Sequence, residues 1–169
     1  RRILKKNIHK VDKFFTVSEN LRREYKKEFD RTPDLMMSLP FKMDLKVEKT
    51  TQSSIRIVHH GVANRNRQIE KMIKIVDKAN SKFKFDLFLT GDKKYIQFLK
   101  TFETDRIKIR PAIDFSQIIQ TLNGYDIGFF YVEPTTKNLE YCLPNKFFEF
   151  IQARLAVFTG PSLEMKNLI

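Results

Sequence analysis

An α/β fold built on a parallel, doubly wound sheet is what this 169-residue sequence predicts, on three observations. Five short apolar runs alternate with segments whose apolar residues recur at helical spacing. The runs are near-continuously apolar rather than alternating, the mark of strands buried on both faces. Three of them close on a glycine, where a strand turns toward a following helix.

The pattern begins with "IRIVHHG" (55–61), after which Ile69, Met72, Ile73 and Val76 line one face of a helix. "FKFDLFLTG" (83–91) is the second strand, followed by helical spacing through Ile96, Leu99 and Phe102. "RIKIRP" (106–111) leads into a short helix, "FSQIIQTLNGY", and "YDIGFFYVE" (125–133) is the fourth strand. A polar loop, "VEPTTKNLEYCL" (132–143), precedes the helix of "LPNKFFEFIQAR". "LAVFTG" (155–160) is the fifth strand, and Pro161-Ser162 opens a last helix. Residues 55–169 thus read as one Rossmann-like domain.

The first third is different. "RRILKKNIHKVD" reads as the end of a helix, and "KFFTV" (13–17) as a short strand. Ser18 is placed to cap a charged helix from Glu19 to Phe29. "DLMMSLPF" is another short strand, ended by Pro40. The polar stretch 42–54 is therefore expected to be a linker or domain boundary between residues 1–41 and the α/β domain. Both chain ends look cut inside helices, so a fragment of a longer protein is expected.

Composition bounds the function. Sixteen Phe and 41% apolar residues supply a core, and the single cysteine, Cys142, excludes an internal disulfide framework. No apolar run approaches the ~20 residues of a membrane-spanning helix. There is no secretory leader pattern, so a cytoplasmic setting is expected. The net charge of +12 calls for an anionic partner: a phosphorylated small molecule, an acidic membrane surface or nucleic acid. Residues 1–54 hold 14 Lys/Arg against 8 Asp/Glu, and residues 55–169 hold 18 against 12. No nucleic-acid motif accompanies the charge, and the phenylalanines follow core periodicity, so nucleic acid is not expected.

Ligands of open α/β sheets bind at the carboxyl ends of the strands, which singles out four segments. In "HHGVANRNR", Gly61 lets a ligand approach the backbone, and Arg65 and Arg67 lie beside a helix start, a natural phosphate site. Ordinary solvated arginines are the plain alternative. A lone glycine is not the Gly-x-Gly-x-x-Gly of nicotinamide or flavin enzymes, so no such cofactor is expected. His59 and His60 read as strand-end residues, with no cluster at metal-ligand spacing. Pro111 and Ala112, after the third strand, offer backbone groups suited to a nucleobase edge. The polar loop holds Glu133, Thr135, Lys137, Asn138 and Glu140, read as sugar contacts rather than a catalytic pair.

The fourth segment carries the most chemistry. Pro144 suits a helix start. Asn145, Lys146 and Glu149 then share one face through i, i+3 and i+4 spacing. The free N–H groups of the first turn and Lys146 suit a diphosphate. The Glu149 carboxylate, an acceptor with two oxygens, suits the two hydroxyls of a ribose. A Lys146–Glu149 surface pair worth ~0.3 kcal/mol is the alternative, weakened by the apolar residues around Glu149.

These residues look familiar. "LPNKFFEFIQARLAVFTGPSLEM" resembles the donor-binding segment of retaining GT-B glycosyltransferases of the large group-1 kind, as found in bacterial capsule and surface-polysaccharide synthesis. "HHGVANRNRQIEKMI" resembles the first strand–loop–helix of their C-terminal domain, "YDIGFFYVEP" the strand before the donor loop, and "FFTVSENLRREYKKEF" with "PDLMMSLPF" the close of their N-terminal domain. The resemblance implies a hexosyltransferase-type enzyme with a nucleotide-diphosphate sugar as substrate, no further cofactor, and a saccharide or lipid-linked acceptor. The positive charge would then serve to gather an anionic donor and to dock a cytoplasmic protein peripherally at the acidic inner membrane face, near a lipid-linked acceptor. The resemblance assigns Glu149 to the second Glu of the family's Glu-x7-Glu motif, and Lys146 with Arg65 or Arg67 to the diphosphate. Tyr141 stands where the first Glu is expected, with Glu140 one residue off, and Arg154 stands where a glycine is usual. No catalytic residue is assigned. A GT-B-type sugar-nucleotide epimerase and a basic nucleotide- or nucleic-acid-binding module without catalysis are the competing readings.

Overall fold

The computed structural model describes residues 2–47, 50–51 and 53–169. In chain order the elements are α1 (Arg2–Asn7), β1 (Phe15–Thr16), α2 (Glu19–Phe29), β2 (Asp34–Leu35), β3 (Ile55–Ala63), α3 (Ile69–Asp77), β4 (Phe83–Gly91) and α4 (Lys93–Lys100). They continue with β5 (Ile107–Pro111), α5 (Ile118–Asn123), β6 (Ile127–Phe130), α6 (Lys137–Glu140), α7 (Asn145–Gln152), β7 (Ala156–Thr159) and α8 (Leu163–Leu168). Parts of 48–52, within the expected linker, lie outside the described residues. The chain divides into two compact units.

The larger unit comprises Pro40–Val132 and Asn145–Gly160. Its sheet is wholly parallel, in the order β5-β4-β3-β6-β7. The sheet's first strand in sequence therefore lies at its centre, and the strand order reverses between β3 and β6. Such a reversal opens a crevice at the carboxyl ends of the two strands, where the connecting segments diverge. The strands are as buried as their apolar runs require: Val58, Phe85, Leu87, Ile107 and Phe129 are all at or below 1% exposure. Helix α3 adds Ile69, Met72, Ile73 and Val76 from one stripe, and α4 adds Tyr95 and Leu99.

Helix α7 is fixed to this sheet by Phe147 and Phe150, both fully buried. A Cβ on Gly128 of β6 would lie 2.2 Å from the Phe150 ring, so glycine is what lets the helix approach so closely. Just past the end of the helix Arg154 adopts left-handed backbone (φ 66°), while the Leu155 N–H closes on the Phe150 carbonyl at 3.1 Å. This is the capping geometry that glycine adopts without strain, and it accounts for the expectation of glycine at this position. At the amino ends of the strands, Asp126 accepts from the Arg56 backbone N–H (2.6 Å) and lies 3.3 Å from its guanidinium. Burial works to raise the Asp126 pKa, but these hydrogen bonds prevail and lower it.

The smaller unit gathers Arg1–Leu39, Glu133–Pro144 and Pro161–Ile169. Here β1 and β2 form a two-stranded parallel pair, and Ser18 caps α2 as its position suggests, accepting from the Leu21 N–H. The Ser18 hydroxyl donates in turn to the Tyr141 carbonyl (3.0 Å). The buried Glu164 accepts from the Asn20 N–H in the first turn of α2 (2.6 Å), a favourable place for an anion.

The Gly128–Phe150 contact makes a direct prediction. Gly128→Ala should destabilise the protein by roughly 1–3 kcal/mol through overpacking. Gly124→Ala, where the added carbon would meet nothing closer than 3.5 Å, should change stability far less. Urea unfolding of both variants is the measurement.

Candidate functional site

The crevice between β3 and β6 is where α7 delivers its polar face. Lys146 donates from Nζ to the His60 carbonyl at 2.6 Å and lies 5.1 Å from the centroid of the Phe130 ring, at the end of β6. Its ammonium crosses directly over Gly61, whose added Cβ would fall 2.7 Å from Nζ. Gly61 also adopts φ 127°, a conformation that a side chain would strain. The glycine expected to admit a ligand therefore admits the lysine, and brings a positive charge to the end of β3.

Glu149, one turn further along α7, meets His60: its Oε2 lies 3.1 Å from His60 Nε2, with the two side chains only 12% and 10% exposed. The expected partner of a surface Glu149 was Lys146, yet this carboxylate sits in a largely enclosed position against an imidazole. The Phe150 ring meets His60 edge to face at 5.7 Å. His60, read from sequence as a strand-end residue, is the residue of this site that spacing alone missed. It stands 86 positions from Lys146, and only the sheet order brings the two together.

The neighbouring His59 is buried on the other side of the strand. Its Nδ1 donates to the Phe129 carbonyl (2.9 Å), and its ring stacks on Phe130. Burial, then the charge of Lys146, holds its pKa well below the ordinary histidine value, while the carbonyl bond opposes the shift only in part. His59 is therefore a neutral, structural imidazole at physiological pH.

The other expected residues fall in different settings. Arg65 and Arg67 bound a single 3-10 turn between β3 and α3. The Arg65 guanidinium lies over Tyr95 (5.5 Å) and Phe98 (5.8 Å), whereas Arg67 is close enough to His59 for its charge to help lower that pKa. The start of α3 is already engaged: the Tyr95 hydroxyl accepts from the Ile69 N–H (2.9 Å) and donates to Glu70. Burial, followed by this bond to Glu70, raises the Tyr95 pKa to about 12. In the same turn, Asn64 Oδ1 and Gln68 Oε1 are buried with no hydrogen-bond partner among the described residues. Pro111 ends β5, and both it and Ala112 are exposed. Asn145 opens α7 and is exposed.

Asn138 belongs to the smaller unit. It stands on α6, whose N-cap Thr136 accepts from the Leu139 N–H, and it lines a cleft of about 510 Å³ with Leu21, Tyr25 and Phe29. Lys137, beside it, is paired with Glu24, which raises the lysine pKa. Among the described residues no three His, Cys, Asp or Glu side chains gather as a metal site, and no helix is long and apolar enough to cross a membrane.

Solved structures share this architecture. A point mutant of S. aureus TarM, in complex with fondaparinux, α-GlcNAc-glycerol and UDP, matches with a TM-score of 0.70 at 12% identity, over 94% of this chain and 31% of that one. The five-stranded parallel sheet flanked by helices matches the Rossmann-like domain of GT-B glycosyltransferases. The pneumococcal O-GlcNAc transferase GtfA, in complex with UDP and GlcNAc, matches at 0.60 and 17% identity over 93% of this chain and 31% of its own. An α-glucosyltransferase in complex with UDP-glucose and DNA containing an abasic site gives 0.57 and 12%, over 92% and 48%. This chain thus spans about a third of the first of these GT-B structures. No protein-family model and no curated protein matches the sequence.

The buried, neutral His59 sets a pH dependence. An unfolded histidine takes up a proton near pH 6.5, whereas the folded one resists it well below that value. Its contribution is therefore complete above pH 6.5 and is lost as pH falls toward the folded pKa. Wild-type stability should drop relative to His59→Phe by an amount approaching ~1.4 kcal/mol per pH unit below 6.5. Parallel pH profiles from urea unfolding at pH 7.5 to 5 would contradict this assignment.

Proposed function

We propose that this chain supplies the donor-binding part of a glycosyltransferase and holds a nucleotide-diphosphate sugar at the β3–β6 crevice. The observation that carries the reading is the delivery of Lys146 and Glu149 to the carboxyl end of β3, one over Gly61 and the other against His60. In this reading the diphosphate lies at the first turn of α7, where the helix N-terminus and the Lys146 charge attract it. The Glu149 carboxylate accepts the ribose hydroxyls, and the backbone after Pro111 meets the base. A cation and a helix N-terminus at the departing diphosphate would stabilise the charge that develops as the glycosidic bond breaks. Two of the matched structures contain UDP and a third UDP-glucose, which makes UDP the first nucleotide to test.

The finer reading is retaining transfer of a hexose to a saccharide or lipid-linked acceptor in polysaccharide synthesis, without metal or further cofactor. The +12 charge supports it by favouring an anionic donor, and would also favour peripheral contact with an acidic membrane surface. The acceptor would be met by parts of the enzyme beyond the segment matched here. Asn138 and its cleft, on the smaller unit, are proposed as sugar-contacting. Arg67 is favoured over Arg65 for phosphate, since Arg65 is engaged with two aromatic rings.

Replacing the carboxylate tests the central assignment. Hydrogen bonds to a charged group are worth roughly 1.5–3 kcal/mol, so Glu149→Gln should weaken UDP by on the order of tenfold to a hundredfold. The wild type should prefer UDP to 2′-deoxy-UDP, and the variant should lose most of that preference. Calorimetric titration of both nucleotides into both proteins is the measurement, and an unchanged preference would remove Glu149 from the site.

A further inference from the structure

The turn that joins β3 to α3 encloses polar atoms that it leaves unpaired. Among the described residues, three buried side-chain atoms have no hydrogen-bond partner: His60 Nε2, Asn64 Oδ1 and Gln68 Oε1. All three lie in residues 60–68, at the end of β3 and in the turn that follows it. Buried polar groups are nearly always satisfied, so exceptions gathered in one short segment call for a cause. The His60 side chain is only 10% exposed, and its Nε2 stands 3.1 Å from a Glu149 oxygen without hydrogen-bonding to it. Asn64 and Gln68 hold the N-cap positions of the 3-10 turn and of α3, where a side-chain oxygen ordinarily accepts a backbone N–H. Neither side chain makes that bond. Gln68 also adopts left-handed backbone (φ 48°, ψ 49°), which a residue with a Cβ tolerates poorly.

We infer that residues 64–68 close on the diphosphate of a nucleotide, and that Asn64 and Gln68 are positioning residues whose cap bonds form only in the closed arrangement; the inference rests on the nucleotide-diphosphate reading of the crevice given above. The turn is anchored at both sides. Arg65 lies over Tyr95 (5.5 Å) and Phe98 (5.8 Å), and the Ile69 N–H at the start of α3 donates to the Tyr95 hydroxyl (2.9 Å). Between these anchors stands Arg67, the charge that a diphosphate draws in. An anion that meets Arg67 only in the closed turn shifts the population toward it by that differential contact. Closure then releases Gln68 from the left-handed region and brings the two amides to the N–H groups they cap.

The test uses the 169-residue chain, with UDP, ADP and GDP as probes. Gln68→Gly removes the left-handed strain and one unpaired oxygen, and Asn64→Leu removes the other oxygen at similar size. Each should raise the thermal midpoint of the unliganded protein by about 2–4 °C. Each should also weaken the nucleoside diphosphate by about fivefold, because whatever favours the open turn opposes closure. In an Arg67→Gln background, where the charge that drives closure is gone, Gln68→Gly should cause no further weakening. A raised midpoint with wild-type affinity would overturn the inference, as would additive losses in the double variant. A lowered midpoint in Gln68→Gly would overturn it too, since the oxygen would then be bonded in the unliganded protein, as through an ordered water. Gln68→Gly alone decides the matter should Asn64→Leu fail to fold. If a nucleotide binds and the variants bind it as the wild type does, only the closing turn fails; if none of the three binds the wild type, the reading of the crevice fails and this inference with it.

Discussion

The contact between Phe150 and Gly128 is the constraint on which the candidate site depends. A side chain on β6 would displace the ring, and with it the helix that carries Lys146 and Glu149. With glycine at 128, α7 settles close to the sheet, and two of its polar residues reach the end of β3. Gly61, toward the end of β3, then does what Gly128 does on β6: it leaves room, here for an ammonium rather than a ring. Both glycines are spent on the approach of the same helix. The geometry of the site is thus a packing result before it is an electrostatic one.

Electrostatics follows from that packing. Lys146 brings positive charge beside two histidines, and its effect is already visible on His59, which burial and this lysine keep neutral. Glu149 brings the opposite charge within one helical turn, against His60. A cation and a carboxylate about a turn apart at the mouth of a parallel sheet suit a ligand with an anionic group at one end and hydroxyls at the other. A nucleoside diphosphate has that polarity. The amino ends of the strands have a different balance, where Asp126 is satisfied by Arg56 and Tyr125 bonds Asp86.

Much of this was legible in the sequence because the strands are short, apolar and punctuated by glycine. The runs 55–61 and 83–91 became β3 and β4, the latter with the same bounds, and Ser18 caps α2 as its position suggests. The spacing of Lys146 and Glu149 placed them correctly on one helix face. The identity of their partner was not legible, since His60 meets Glu149 only through strand order, and nothing local in "HHG" specifies which crevice it borders. Periodicity was equally silent on α6, a single turn inside a polar loop, where Thr136 caps a helix too short to show a pattern. The engagement of Arg65 with Tyr95 and Phe98 likewise depends on residues about thirty positions away.

The most direct test of the account is where a nucleoside diphosphate touches the chain. Titrating UDP, ADP and GDP in parallel into the 15N-labelled protein, and following the backbone amides, reads this without assuming an activity. For at least one of them the amides of Gly61, Ala112, Lys146 and Glu149 should shift together with a common affinity, while those of Arg56 and Asp126, at the opposite ends of the strands, stay in place. Shifts that bypass Gly61 and the first turns of α7, or none with any of the three nucleotides, would contradict it.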